Sequence, residues 1–448
     1  MHIVILGAGV VGVQIATQLI EEEKDVVIIE KNPERAKYVS SRLDCIVIND
    51  DGTHINVLKD ADIEKADLFI GVTASDEVNM IACGLVSSEF KSVKFKIARI
   101  RNDDYSSADL MKKTFLGIDY IVNSNVETAR LIANSVSSGA ASNVVLFENT
   151  DLQMRNILID DYSVFKNKLL KNLHLSIKQP FLIAGIIRDE DFIIPSGDTT
   201  IQKDDTLYLL ASYNDLEKIF SISGQEQEKI KSMIIVGGGK IGVLLCEMLV
   251  KTISKITLVE INHDICKEIA SEFPEVLVLN ADISDEEIFT EENLGSYDLI
   301  VTTTDNQELN IVTSIYAKRM GVKRSIALIA NHNYLPIASK FDIDSIINPK
   351  LSTVDAIMKY IRRGDIKSVH SIFNGKAEVI EFSIDDDNIM AKKLLREIRL
   401  PEDTLVLSVV RNKKTHLPNG NFMIEPGDVM IIISSKESIP KLEEFFLD

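Results

Sequence analysis

Two glycine-rich stretches are the part of this sequence best suited to chemistry, because their spacing predicts anion binding. Each reads G-x-G-x-x-G directly after an apolar run, HIVIL in one case and MIIV in the other. The six glycines are Gly7, Gly9, Gly12, Gly237, Gly239 and Gly242. The first glycine of this pattern permits a tight turn, the second lets the backbone approach a pyrophosphate, and the third lets helix and strand pack. The phosphates would accept hydrogen bonds from N–H groups at a helix start. Glycines that serve only the turn and the packing are the alternative interpretation.

One acidic residue follows each glycine loop at the same distance, at the end of the next apolar run. These residues are Glu30 and Glu260. A carboxylate at this position accepts hydrogen bonds from the ribose 2′- and 3′-hydroxyls of NAD and repels the 2′-phosphate of NADP. Lys31 and Arg35 weaken that preference in the first half. The alternative is that both glutamates are solvated surface acids.

Further polar residues follow the third and fourth apolar runs. Asp51 and Asp282 follow the third, where a carboxylate could reach the adenine side of a nucleotide or simply close a solvated turn. Thr73, Asp76 and Asn79 follow the fourth, at the crevice where doubly wound sheets bind ligands. Asp76 could instead cap the next helix.

The cations near the two predicted sites differ. Arg99 ends the fifth run of the first half and is expected to face phosphates, whereas Leu328 stands at the equivalent position of the second half. Lys240, inside the second glycine loop, either replaces part of that charge or is solvated.

The elements that must position these residues occur twice. A shift of about 230 positions superimposes the halves, which indicates an internal duplication. ADLFIGVTASDEVN matches YDLIVTTTDNQELN, and IPSGDTTIQKDDTLYLLAS matches LPNGNFMIEPGDVMIIISS. In each half short apolar strands alternate with amphipathic helices, which predicts parallel βαβ units in a doubly wound sheet. The first-half helices are expected to begin near Val11, Pro33, Ile55 and Asn79.

The predicted fold class is α/β, with two Rossmann-like doubly wound parallel-sheet domains, each followed by a small α+β domain. The nucleotide-binding domains are predicted at residues 1–140 and 230–368, and the small domains at 141–225 and 369–448. Each small domain is expected to begin with a helical segment, KLLKNL or KKLLREI, followed by strands. Helices over 125–138 and 352–363 should link the two parts of each half, and the polar segment 221–232 should link the halves.

Composition restricts the functional class. The net charge of −19 argues against nucleic acid and against a bare anionic bilayer. The four cysteines, Cys45, Cys83, Cys246 and Cys266, have no C-x-x-C or zinc spacing and predict reduced thiols in or near cores. The uncharged stretch from Ile3 to Ile20 is interrupted by glycines, so a β-turn-α unit explains it better than a membrane span. We expect a cytoplasmic protein that reaches the membrane only through a protein partner.

The sequence contains two nucleotide cradles without a recognisable catalytic group. A dehydrogenase needs an acid–base residue beside the nicotinamide. No Tyr-x-x-x-Lys, His–Asp pair or catalytic cysteine pattern recurs in the two halves. A non-enzymatic sensor is therefore predicted, with an NAD-dependent oxidoreductase and a scaffold with degenerate sites as alternatives.

The doubled motif order resembles the TrkA family, the cytoplasmic regulatory subunits of Trk-type potassium uptake systems, built from tandem RCK (KTN) domains with C-terminal companions. The motifs that carry the resemblance are GAGVVG with Glu30, NDDGTH, VTASDEVN, GGGKIG with Glu260, NADISD and TTTDNQELN. The resemblance covers essentially the whole chain. Asp50, Ala281 and Ile283 depart from the family's G-D-A-T pattern.

The resemblance implies a ligand, NAD(H), with ATP or ADP as an alternative or additional one. It also implies a homo-oligomeric gating ring, expected to be a tetramer, beneath a TrkH-like membrane potassium-translocating subunit. A regulator of another cation channel or antiporter is the alternative. The implied nucleotide contacts are Gly7, Ala8, Gly9, Val10, Val11, Gly12, Glu30, Asp51, Thr73, Ala74, Arg99, Gly237, Gly239, Lys240, Ile241, Gly242, Glu260 and Asp282, with no catalytic residue and no metal ligand.

Overall fold

The computed structural model describes the chain except residues 103–104, 106–114, 138–144, 148–149, 151, 176, 190, 224–228, 339, 342, 362–365, 373–375, 413, 440 and 443–448. The chain forms two compact units. One contains residues 1–133 and 231–361, and the other contains residues 134–230 and 362–448. Each unit therefore combines a segment from each half of the sequence.

The first segment is a parallel six-stranded sheet in the order β3-β2-β1-β4-β5-β6. Its strands are β1 (His2–Leu6), β2 (Asp25–Ile29), β3 (Ile46–Ile48), β4 (Leu68–Gly71), β5 (Phe95–Arg99) and β6 (Tyr120–Val122). Its helices are α1 (Val10–Glu21), α2 (Pro33–Ser40), α3 (Ile55–Asp60), α4 (Asp76–Glu89) and α5 (Ser124–Ser137). The order reverses beside β1, so the carboxyl ends of β1 and β4 open a crevice typical of ligand sites.

An antiparallel sheet in the order β10-β9-β11-β8-β7 follows. It contains β7 (Val145–Leu146), β8 (Leu152–Leu158), β9 (Leu182–Arg188), β10 (Asp191–Ile193) and β11 (Thr206–Ser212), and α6 (Tyr213–Ile222) follows it.

The second half repeats both sheets. The parallel sheet has the order β14-β13-β12-β15-β16-β17 and the antiparallel sheet the order β18-β19-β22-β20-β21. The strands of the parallel sheet are β12 (Ser232–Val236), β13 (Lys255–Glu260), β14 (Leu277–Asn280), β15 (Leu299–Thr302), β16 (Arg324–Leu328) and β17 (Ser345–Ile347). Its helices are α7 (Lys240–Leu249), α8 (His263–Glu272), α9 (Glu286–Glu291), α10 (Gln307–Arg319), α11 (Leu335–Ala338) and α12 (Pro349–Ile361). The antiparallel strands are β18 (Ile366–Ile372), β19 (Ala377–Ser383), β20 (Thr404–Arg411), β21 (Lys414–His416) and β22 (Val429–Ser435). The predicted fold class is confirmed.

The two halves share a core within the unit that contains the parallel sheets. Ile357 and Tyr360 of α12 belong to the same buried cluster as Ile15 of α1. The Tyr360 ring stacks on Tyr120 with centroids 3.9 Å apart and 14° between the planes. The Tyr360 hydroxyl also donates to the carbonyl of Asp119 at 3.3 Å. A helix of the second half thus covers the helix that follows the first glycine loop.

The unit that contains the antiparallel sheets also has a core drawn from both halves. Met154 and Tyr208 of the first half are buried in one cluster with Leu407 and Ile431 of the second. Alternating residues of β8 and β11 face this cluster, and Leu207 and Leu209 on the other face of β11 are buried in a second cluster.

Three local expectations need correction in detail. KLLKNL and KKLLREI are helical only as short 3-10 helices, Leu170–Leu175 and Leu395–Glu397. The N–H of Lys171 donates to the carbonyl of Gly197 and that of Arg396 to Gly420, both at 3.0 Å, so bonds to the following loop replace α-helical ones. A strand, β8 or β19, also precedes each segment.

The second and third corrections concern helix limits. α6 extends to Ile222, into the predicted linker, because Leu216, Ile219 and Phe220 bury one of its faces. α4 begins at Asp76 rather than near Asn79.

Two predictions from composition can also be compared with the structure. The four cysteines are free thiols, of which Cys45 is half-buried and the others are buried, so they lie in or near cores as predicted. Within the described residues, we find no helix with the length and apolarity needed to span a bilayer.

Candidate functional site

The outer glycines of each loop serve the turn and the packing. Gly7 has φ +107° and Gly237 has φ +105°, a backbone conformation that residues other than glycine rarely adopt. A Cβ on Gly12 would lie 2.0 Å from the carbonyl oxygen of Gly7, and one on Gly242 would lie 2.1 Å from that of Gly237. Both loops therefore have the close helix–strand packing that the sequence predicts.

At the middle position of each loop, neither the backbone conformation nor the packing of the described part of the chain explains why the residue is glycine. Gly9 has φ −70° and ψ −178°, and Gly239 has φ −69° and ψ −179°, an extended conformation open to any residue. A Cβ on either residue would meet no described atom within 4 Å. Neither backbone conformation nor packing among the described residues thus requires glycine, and the space above each loop is open to the close approach of a ligand.

The helix starts beside these glycines have no side-chain cap, a feature that they share with α3. Gly9 is the N-cap of α1 and Gly239 is the N-cap of α7. In contrast, the Asn32 side chain caps α2 and the Ser75 hydroxyl caps α4. The uncapped N–H groups of α1 and α7 are suited to a phosphate, which the helix dipole favours.

The acid of each half is held against its glycine loop. Glu30 is 7% exposed. Its Oε2 accepts from the Ala8 N–H at 2.7 Å and its Oε1 from the Asn32 N–H at 2.8 Å. Glu260 accepts from the N–H groups of Gly238 and Asn262, both at 2.7 Å. These acids are therefore not plain solvated residues. Because a carboxylate has about four acceptor positions, each can still accept from a ribose hydroxyl.

The acids after the third strands close local turns. Asp51 accepts from the Thr53 N–H at 3.1 Å and hydroxyl at 2.7 Å, and pairs with Lys31 at 2.8 Å. The Lys31 hydrogen bond is the main reason why the pKa of Asp51 lies far below its usual value. Asp282 accepts from the Ser284 N–H at 2.9 Å, which lowers its pKa. The turn role is observed, and contact with adenine stays a prediction.

A buried asparagine joins the carboxyl ends of β4 and β5. The Asn79 Oδ1 accepts from the Thr73 N–H at 2.9 Å and hydroxyl at 2.7 Å, and its Nδ2 donates to the Arg99 carbonyl at 2.8 Å. A Cβ on Gly7 would lie 3.1 Å from the Thr73 backbone, so this network borders the glycine loop. The second half repeats it with Thr304, Asn310 and Leu328.

Asp76 does not cap α4, because the Ser75 hydroxyl accepts from the Val78 N–H at 3.2 Å instead. The Asp76 carboxylate accepts from the N–H groups of Arg101 and Asn102 at 2.8 and 2.9 Å. The Arg101 guanidinium donates to the carbonyl of Ala74. Sequence reasoning missed Arg101, although the run ARIRND that contains Arg99 carried the signal.

The two predicted cations, Arg99 and Lys240, have different hydrogen-bond partners. Arg99 donates from Nε to the Ser124 hydroxyl at 3.0 Å, and burial lowers its pKa. The Lys240 Nζ lies 3.5 Å from the Arg101 carbonyl oxygen of the first half, and its replacement of part of the charge at the second site stays a prediction. Of the other loop residues, Val10 is 54% exposed and Val11 is buried. Ile241 is half-buried.

Family comparison agrees with this geometry. The TrkA-N domain matches residues 3–124 and 233–349, and the TrkA-C domain matches residues 154–224 and 379–447. The chain belongs to the TrkA family. The resemblance inferred from the sequence is thereby confirmed.

Relatives in the TrkA family match over the full length. The Trk system potassium uptake protein TrkA homolog 1 of Methanosarcina mazei is 30% identical over 453 residues, with 100% of each chain covered. The Trk system potassium uptake protein TrkA of Azorhizobium caulinodans is 30% identical over 452 residues, covering 100% of this chain and 98% of the relative.

Solved structures share the fold of this TrkA-family chain. The GsuK channel bound to NAD has a TM-score of 0.59 at 16% identity, covering 99% of this chain and 78% of that one. The GsuK RCK domain has a TM-score of 0.59 at 15% identity, covering 99% of this chain and 94% of that one.

Proposed function

We propose that this protein is a peripheral regulatory subunit of a potassium uptake system, and that it gates a membrane potassium-translocating subunit in response to NAD(H) or ATP/ADP. Full-length similarity to relatives named Trk system potassium uptake protein TrkA supports the potassium system. The protein acts without catalysis, at the cytoplasmic face of the membrane, through a TrkH-like partner.

The observation that carries the nucleotide ligand is the pair of middle glycines. Gly9 and Gly239 are glycines that the described fold does not need, each at an uncapped helix start and beside a held carboxylate. The pyrophosphate would lie against these glycines, with ribose hydroxyls at Glu30 and Glu260. The remaining predicted contacts at Asp51, Thr73, Ala74, Arg99, Lys240 and Asp282 border the same edges of the two parallel sheets, in the first and second halves respectively.

The signal leaves the site through packed helices. α1 begins at the phosphate position and packs against α12 of the second half through the cluster of Ile15, Ile357 and Tyr360. A ligand that alters the position of α1 therefore changes the angle between the paired nucleotide domains. The ligand shifts this equilibrium only by its difference in affinity for the two states.

The four predicted domains, at 1–140, 141–225, 230–368 and 369–448, are the functional parts of this proposal. Four chains would form a homotetrameric ring in which the nucleotide domains sense the ligand. The GsuK RCK domain shares the fold of these domains.

Two measurements test the proposal. The first is a thermal-shift measurement with NAD, NADH, ATP, ADP and AMP. A nucleotide that binds should raise the melting temperature, because a ligand at a hundred times its Kd adds about 2.7 kcal/mol to the free energy of unfolding. Potassium flux should then be measured in vesicles that contain the membrane subunit, with and without this protein. We expect the nucleotide to alter flux only when the protein is present. Absence of binding by every nucleotide, or NADH turnover without any transporter, would contradict the proposal.

A further inference from the structure

The two glycine loops share their hydrogen bonds but differ in charge. Hydrogen bonds that occur in both halves show which residues of the two loops correspond, so the comparison does not depend on sequence alignment alone. Lys31 directly follows Glu30, and Ile261 directly follows Glu260. The Asn32 side chain accepts from the N–H of Arg35 at 3.0 Å, and the Asn262 side chain accepts from that of Ile265 at 3.3 Å. Two cations of the first half are thus isoleucines in the second.

The same change occurs at the opposite side of the crevice. Asn79 donates to the carbonyl of Arg99 and Asn310 to that of Leu328, at 2.8 and 3.0 Å. Arg101 and Ala330 lie two residues further along in the two halves. At four equivalent positions around the two sites, a cation of the first half is therefore an apolar residue in the second.

The equivalent acids do not compensate for this difference. Glu30 and Asp51 correspond to Glu260 and Asp282, which keep their charge. The third acid of the first half, Asp76, accepts from the N–H of Asn102, and Gln307 accepts from the N–H of the equivalent Asn331 in its place. Over these seven positions the formal charge is +1 in the first site and −2 in the second. Adding Asp50 with its counterpart Ala281, and Lys240 with its counterpart Val10, changes the sums to 0 and −1, so the first site stays the more positive.

We infer that the two sites take different classes of ligand: the first takes a nucleoside polyphosphate such as ATP or ADP, and the second takes a dinucleotide of lower charge such as NAD. This inference rests on the proposed nucleotide function. A polyphosphate carries more negative charge than the pyrophosphate of NAD, so carboxylates without neighbouring cations repel it more. The second site holds Glu260 and Asp282 without the four cations that offset their counterparts.

The side chains beside Glu30 and Glu260 agree with this assignment of two ligand classes. The Arg35 guanidinium lies 3.8 Å from the Glu30 carboxylate and reduces its repulsion of an anion. Ile265 cannot do so for Glu260, and Ile261, which is 67% exposed, offers an apolar surface for a ring of the ligand. Lys240, the cation of the second loop, lies 3.5 Å from the Arg101 carbonyl oxygen and so reaches the first half.

Matched single-site variants test the assignment. Gly9→Val fills the phosphate space of the first site and leaves the second intact, and Gly239→Val does the reverse; both glycines have an extended backbone that valine adopts. Isothermal titration with ATP and with NAD then measures each site alone. We expect the Gly239→Val protein to prefer ATP over NAD by at least about tenfold, and the Gly9→Val protein to prefer NAD.

Exchange of the cations provides the second measurement. In the Gly239→Val protein, Lys31→Ile, Arg35→Ile and Arg99→Leu should each weaken ATP binding about two- to fivefold, as expected for partly exposed ion pairs. NAD binding should change by less, and the ATP effect should shrink at high salt because salt screens it. Lys65→Ala, at an exposed cation paired with Asp62, is the control.

The outcomes separate this inference from the proposed function. If both single-site proteins bind ATP and NAD with the same preference, the two-class assignment is overturned while nucleotide sensing stands. If the cation exchanges leave the ATP affinity unchanged, the electrostatic reason is overturned. If neither site of the wild-type protein binds any nucleotide, the proposed function itself fails.

Discussion

Substitution of two glycines in the same loop should separate an effect on nucleotide binding from an effect on stability. Gly9→Ala places a Cβ where no described atom lies within 4 Å, on a backbone with φ −70°. Gly12→Ala places a Cβ 2.0 Å from the Gly7 carbonyl oxygen. One substitution therefore alters only the ligand space, and the other alters the packing of the loop itself.

The magnitudes follow from these contacts. For Gly9→Ala, the lower entropy of the unfolded chain contributes about 0.4–1 kcal/mol of stability, and the poorer helix cap costs a similar amount. The net change in the free energy of unfolding should therefore be near zero. For Gly12→Ala, relief of the clash requires a backbone shift that costs about 1–3 kcal/mol, only partly offset by the helix propensity of alanine.

The assay combines denaturant unfolding without ligand and nucleotide titration. We expect Gly9→Ala to unfold at the wild-type denaturant concentration but to bind nucleotide about tenfold more weakly at the first site, a loss of about 1.4 kcal/mol. Gly12→Ala should unfold earlier. Gly239→Ala and Gly242→Ala are the matched pair in the second half. If Gly9→Ala keeps full nucleotide affinity, or destabilises the protein as much as Gly12→Ala, the reasoning is refuted.

Three further predictions concern the two cores and a surface carboxylate. Tyr360→Ala removes the stack on Tyr120 and should lower the free energy of unfolding by about 3 kcal/mol, whereas Tyr360→Phe should lose about 1 kcal/mol; equal losses in urea unfolding would contradict the stacking role. Arg188→Met leaves the Asp205 carboxylate, which is 1% exposed, without its guanidinium partner at 2.7 Å and should lower the free energy of unfolding by about 3–5 kcal/mol. The additional change Asp205→Asn should restore part of this loss. A single variant as stable as the wild type would count against this prediction. The pKa of Asp67 lies below its usual value because its carboxylate accepts a backbone hydrogen bond, so its contribution to stability is present above the unfolded pKa of about 3.9 and is lost as the pH falls through the folded pKa. Asp67→Asn should therefore flatten the acid limb of the curve of unfolding midpoint against pH, and an unchanged limb would refute this.

Much of the candidate site could be predicted because its parts are local in sequence. The glycine spacing, the acid at the end of the next strand and the polar residues after the third and fourth strands are all set by strand and helix periodicity. The same local reasoning predicted a helical segment at KLLKNL but not that it is a short 3-10 helix, which bonds from Leu170 to Thr199 and from Lys171 to Gly197 decide. A helical period alone does not reveal such competing partners.

The sequence by itself determined the duplication, the fold class and the geometry of the two glycine loops, because each depends on short-range patterns that occur twice. Only the tertiary structure decided the partners of Asp76, which binds N–H groups 25 and 26 residues away, and of Tyr360, which contacts a carbonyl 241 residues away. Those partners depend on which strands and helices become neighbours once the strands on both sides of β1 have assembled into the sheet. No periodicity within either segment encodes that choice, because it is set by burying the apolar faces of both halves together.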